Sequence, residues 1–143
     1  MREEEGAFAG RCMCGGVRFE VQGPPDWVGI CHCATCRRAS GGALVAAAGF
    51  AKEKVRLDGR TLASFASSPG VRRSFCAACG TSLAYESERW PTDIHLMIGA
   101  FDKPEALQPQ FHIFYTERLT WLHLADTLPR YVTSPGDGDL VED

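Results

Sequence analysis

Seven cysteines in a chain of 143 residues fall into three groups: Cys12-Met13-Cys14, Cys31-His32-Cys33-Ala34-Thr35-Cys36 and Cys76-Ala77-Ala78-Cys79. Thiols spaced this closely beside glycines suit a soft metal ion. A tight turn brings two sulfurs to one point and frees backbone N–H groups to hydrogen-bond to them. Gly15-Gly16 follows the first pair, and Gly80 follows the third group. Cys76 and Cys79 need two partners to complete a tetrahedron, and Cys12 and Cys14 can supply them. Cys31, Cys33 and Cys36 remain, so no thiol is left over. Four thiolates close a zinc site and make it structural, whereas three leave a position for water or substrate.

Other readings of these residues stay open. Free cysteines pack as small hydrophobes, although their density here argues against that. The trio could instead be a redox group, or His32 could join the sulfurs and close the site. Three thiolates leave a divalent zinc net negative, a weaker Lewis acid than one held by neutral histidines. Such a metal is less suited to making hydroxide than to holding a soft anionic ligand such as a substrate thiolate. Arg37 and Arg38 directly follow the trio and could offset its charge or bind a carboxylate on the ligand. Thr35 and Ser40 could donate to sulfur, although loop hydroxyls commonly serve turns. His112 could face a pocket, but it reads more readily as a surface or hydrogen-bonded side chain, as do His95 and His123. His32 is expected to point away from the metal, and Trp90 and Trp121 to pack.

The elements that must position these groups are short. Apolar or alternating runs recur as "GGVRFEVQG", "ALVAAAGF", "KVRLDG", "LASFAS", "TSLAYES", "DIHLMIGAF" and "QFHIFYTE". Turn-forming clusters such as "GPP", "DG", "SSPG" and "SPGDG" punctuate the chain. Period-two alternation, as in Val17, Phe19 and Val21, marks half-buried strands. The pattern predicts an all-β sandwich or barrel-like fold. One short helix is expected within "CATCRRASG", ending at Gly41. A single domain is expected over residues 1–132, followed by a flexible acidic tail over 133–143.

Composition excludes some functions. A net charge of −3 gives no basic footprint for nucleic acid, and Arg72-Arg73, like Arg37-Arg38, reads as solvated surface. The opening "MREEEGAFAG" is acidic, unlike a signal peptide, and the longest apolar run is too short to span a bilayer. A cytoplasmic protein with no membrane partner is expected. In that reducing compartment, clustered thiols read as metal ligands or catalytic groups rather than disulfides.

Three stretches in order, "GRCMCGGVRFEV", "CHCATCRRASGG" and "SFCAACGTSL", resemble the glutathione-dependent formaldehyde-activating enzyme (GFA) family. "IGAFDKPEALQPQFHIF" and "WLHLADTLPRY" resemble its later segments, so the likeness runs from Phe8 to Tyr131. It implies an Mss4-like (β-tent) all-β fold of short antiparallel strands carrying two zinc ions. The implied structural zinc is held by Cys12, Cys14, Cys76 and Cys79. The implied catalytic zinc is held by Cys31, Cys33 and Cys36, and an ion held by only three protein ligands could be lost on purification. The implied activity is that of a carbon–sulfur lyase acting on a small thiol adduct, such as glutathione plus formaldehyde giving S-hydroxymethylglutathione. The alternative is a non-catalytic, zinc-stabilised binding module whose second site is vestigial or a sensor. A methionine sulfoxide reductase on a related scaffold would need a redox cysteine late in the chain, and none follows Cys79.

Overall fold

Between Val17 and Val21 the apolar side chains are buried while Arg18 and Glu20 face outward, the alternation expected there. The architecture is that of a computed structural model, which describes residues 8–141. Most of the acidic opening and the last two residues of the expected tail lie outside the described residues.

Ten strands, one α-helix and four single-turn 3-10 helices appear among the described residues. The strands are β1 (Ala9–Arg11), β2 (Val17–Val21), β3 (Trp27–Cys31), β4 (Val45–Ala51) and β5 (Val55–Gly59), then β6 (Leu62–Ser68), β7 (Val71–Cys76), β8 (Ser82–Ser87), β9 (Asp93–Met97) and β10 (Phe111–Ile113). The helix, α1 (Ala34–Ser40), ends at Gly41 in the left-handed region (φ 77°), where the sequence places its stop. No helix among the described residues is long and apolar enough to cross a membrane.

The chain divides into two units, one of Met1–Asp26 with Ala48–Gln108 and one of Trp27–Ala47 with Pro109–Asp143. In the first, β2 pairs antiparallel with both β1 and β5. Strands β6 to β9 form an antiparallel meander in which each pairs with the next. Phe19, Phe50, Leu83 and Leu96 are its largest fully buried side chains. Phe19 meets Phe101 edge-on at 4.8 Å between ring centroids, the arrangement ring quadrupoles favour.

The second unit has a different interior. Its largest fully buried side chains are two histidines, His32 and His112. Strand β10 runs parallel to β3, with Ile30 opposite His112 and Cys31 opposite Ile113. A Cβ on Gly29 would run into the Phe111 ring, so glycine here permits a close approach rather than breaking the strand. Beyond Ser134 the chain turns, and the Val141 N–H returns to the Arg130 carbonyl at 2.6 Å.

Each of the seven runs contains a strand, while β1, β3 and β7 fall outside them. In β7 the expectation of a solvated arginine pair fails for Arg73. Its side chain is buried, donates from Nε to Ser67 Oγ at 3.0 Å, and lies 5.0 Å from the centre of the Tyr85 ring. Trp121 departs in the opposite sense: it is exposed rather than packed.

Candidate metal centres

The first centre lies in the first unit, where the turn after β1 meets the end of β7. The sulfurs of Cys12, Cys14, Cys76 and Cys79 all lie within 4.8 Å of one another. Cys12 Sγ is 3.6 Å from Cys14 Sγ, which is 3.7 Å from Cys76 Sγ. Four sulfurs at zinc–thiolate bond length on a tetrahedron sit about 3.8 Å apart, so the set fits a closed ion.

Donors surround these sulfurs as thiolates require. The Val17 N–H donates to Cys12 (3.3 Å), the Gly16 N–H to Cys14 (3.4 Å) and the Cys79 N–H to Cys76 (3.4 Å). The hydroxyls of Thr61 and Thr81 lie 3.1 Å from Cys76 and Cys79 respectively. The Thr61 hydroxyl holds the Cys76 thiol below its usual range. The Thr81 hydroxyl and amide bring Cys79 down to about 5. At Cys14 the Gly16 amide also pulls down, but the Cys12 and Cys76 sulfurs outweigh it and push the thiol up to about 11. Protons shared among crowded sulfurs are the ones a divalent ion displaces.

The two turns are built alike. Gly15 and Gly80 both take φ 81°, and their amides return to the carbonyls of Cys12 and Cys76. Nothing lies within 4 Å of a Cβ placed on Gly80, so Gly80→Ala costs backbone conformation alone, about 1–2 kcal/mol. A fall in melting temperature of roughly 3–8 °C is expected by calorimetry. An unchanged midpoint would show that the turn does not depend on the left-handed conformation.

The second centre lies in the second unit, where β3 gives way to α1. The sulfurs of Cys31, Cys33 and Cys36 lie within 4.8 Å of one another, and no fourth Cys, His, Asp or Glu ligand atom joins them among the described residues. Cys33 is the hub. Its sulfur caps α1 by accepting from the Cys36 N–H at 3.4 Å. It also lies 3.4 Å from Cys31 Sγ and 3.3 Å from the Thr35 hydroxyl. Donation from Cys31, then from Cys36, draws negative charge onto Cys33 and holds its thiol far below the usual range. Its hydrogen bonds with Cys33 and then Cys36, with burial, push Cys31 far above it. The three half-buried sulfurs fit a metal with one position left open.

The surrounding residues sort the earlier expectations. Thr35 does face sulfur, whereas Ser40 serves the turn, accepting from the Gly42 N–H at 3.0 Å. Arg37 donates to the backbone carbonyls of His32 and Glu117, and Glu117 Oε1 accepts from the Ala34 N–H at 3.0 Å. Arg37 thus ties the loop together from its backbone, and Arg38 is exposed. His32 does not join the sulfurs. Its Nε2 lies 2.9 Å from His112 Nδ1, and His112 Nε2 lies 3.0 and 3.1 Å from the two Asp126 oxygens. Burial, then the neighbouring His112, brings His32 down to about 4, so its ring is neutral. His95 belongs to neither ligand group and is stacked on Tyr85 at 5.1 Å, and His123 is exposed. Thr61, Glu117 and Asp126 carry roles that spacing does not mark. Asp126 at least stands in "WLHLADTLPRY", one of the stretches that carry the resemblance.

Comparisons with known proteins identify the family of the chain. The family model described as "Glutathione-dependent formaldehyde-activating enzyme" matches residues 7–117. A Halomonas elongata protein named "Putative glutathione-dependent formaldehyde-activating enzyme" is 30% identical over 131 residues, covering 80% of this chain and 79% of that protein. A crystal structure of a Rhodobacter sphaeroides protein, a structural-genomics target, superposes with a TM-score of 0.56 at 21% identity. It covers 66% of this chain and 87% of its own, a likeness of fold alone. A match over most of the chain, together with two cysteine groups of the expected composition, places it by descent: the protein belongs to the glutathione-dependent formaldehyde-activating enzyme family.

Proposed function

We propose that the chain is a zinc-dependent enzyme of the carbon–sulfur lyase type. It would join a small thiol to an aldehyde, with glutathione and formaldehyde as substrates and S-hydroxymethylglutathione as product. One observation carries the reading: three sulfurs converge with no fourth ligand atom beside them among the described residues, while a separate set of four also converges. A purely structural role needs only the second of these. In this reading Cys12, Cys14, Cys76 and Cys79 hold the structural zinc, and Cys31, Cys33 and Cys36 hold the catalytic one.

Zinc bound by the trio would supply an electrophilic position that favours the thiolate form of a substrate thiol at neutral pH. The chain's own residues prepare that position. The Cys36 amide and the Thr35 hydroxyl stabilise charge on Cys33, and Arg37 fixes the loop between its two carbonyl partners. In the reaction, the thiolate sulfur attacks the aldehyde carbon and a carbon–sulfur bond forms. The π pair moves onto oxygen, which takes up a proton to complete the hydroxymethyl group. The reverse breaks the same bond. A reducing cytoplasm would keep the ligands as thiols.

The test combines metal counting with a substrate panel. Purified in the presence of zinc, the chain is expected to hold two metals and to form hemithioacetal from glutathione and formaldehyde faster than the uncatalysed reaction. The thiol and aldehyde preferences follow from the same assay. One metal per chain and no acceleration over the panel would favour the non-catalytic module.

A further inference from the structure

We propose that Asp126, acting through His112, is a positioning residue for the second metal centre. The inference rests on reading Cys31, Cys33 and Cys36 as a metal site. His32 stands between the first two of those ligands, and three sets of hydrogen bonds fix it. Its N–H donates to the Ile113 carbonyl at 3.1 Å. Its carbonyl accepts from Arg37. Its ring ends a side-chain network that runs through His112 to Asp126, and the two rings are fully buried.

The network has a direction. A carboxylate only accepts, so His112 carries its proton on Nε2, facing Asp126. At its other end the His112 ring meets His32, Nδ1 lying 2.9 Å from His32 Nε2 with one proton shared between them. Asp126 is itself held in place. Its Oδ1 accepts from the Leu128 N–H at 3.0 Å and from Arg130 at 3.2 Å, and Arg130 also donates to the carbonyls of Leu128 and Leu124. Burial pushes the Asp126 carboxyl up, but its hydrogen bonds with His112 and Leu128 prevail and keep it below its usual range.

Apolar side chains could fill the same space, but they would not set the rotation of the ring. Hydrogen bonds do. Holding the His32 ring holds the backbone between Cys31 and Cys33, and with it the 3.4 Å separation of their sulfurs. The network thus does for a residue between ligands what partners behind a metal-bound histidine do for the ligand itself.

Asp126 suits a test because its side chain is a third exposed. It lines an open cavity of about 740 Å³ with Tyr115, Arg118, His123 and Arg130, so truncation leaves no sealed void. The native chain, Asp126→Ala and Asp126→Asn would each be loaded with cobalt(II) and titrated with a chromophoric chelator. The spectrum of Cys33→Ser assigns the thiolate–cobalt bands to the two centres. In Asp126→Ala the second centre is expected to lose its ion about 10–100-fold more readily with altered bands, while the first is unchanged. Asp126→Asn keeps an oxygen to accept from His112 and should show a smaller change. Affinity within twofold of native in Asp126→Ala, or equal weakening of both centres, would overturn the inference. A native chain that binds only one cobalt would instead remove the reading on which it rests.

Discussion

Replacing Cys33 by serine is expected to abolish turnover while leaving the fold in place. Cys33 is the sulfur on which the trio's hydrogen bonds converge and also the residue that caps α1. A serine hydroxyl is a good helix cap, so the local backbone keeps its geometry. It is a poor ligand for a soft site, because the hydroxyl stays protonated where a thiol would ionise. Lewis-acid charge stabilisation is worth several kcal/mol, and each 1.36 kcal/mol is a factor of ten. Activity should therefore fall about a thousandfold or more, with one metal lost per chain and an unchanged far-ultraviolet spectrum. Full activity in the purified variant would remove Cys33 from the reaction.

Cys76→Ser should have the opposite signature. This sulfur is fully buried at the end of β7, and it lies opposite Cys14 across 62 residues of chain. Closing that span with a metal ties the turn after β1 to the meander, and structural zinc contributes directly to folding free energy. Loss of the site should lower the melting temperature by on the order of 10 °C or more. The shift that a chelator produces in the native chain should shrink in the variant. A midpoint within about 2 °C of native would show that the four-cysteine centre does not hold the fold. With Cys33→Ser, this variant separates the two centres, one losing activity first and the other stability first.

The two centres differ in how openly the sequence displays them. Ligand identity is local, since CxC and CxxC beside glycine specify turns that aim sulfurs together, and all seven thiols cluster in the two groups that counting suggests. Strands with clean alternation, such as β2, are equally plain. What stays hidden depends on distant partners. Strand β3 contains a glycine that makes sense only against Phe111, and β7 contains one arginine, Arg73, whose burial depends on Ser67 and Tyr85 in neighbouring strands. His32 and His112 are 80 residues apart, and neither has a sequence neighbour that announces the pairing. Imidazoles are equally at home at a surface, in a core or on a metal, so type alone cannot decide between these fates.

The connectivity of the two centres also separates them during folding. Cys31 and Cys36 are five positions apart, whereas Cys14 and Cys76 are separated by 62. Chain-closure entropy grows as one and a half RT times the logarithm of loop length, so bringing the distant pair together costs about 2 kcal/mol more. The trio's ligands all lie within one hexapeptide, and the distant partners of His32 act on sulfurs that are already neighbours. The four-cysteine centre exists only once the meander has formed. Unfolding therefore disperses its ligands, yet leaves the other three sulfurs within a turn or two of chain, close enough to take up an ion before the rest of the protein has found its shape.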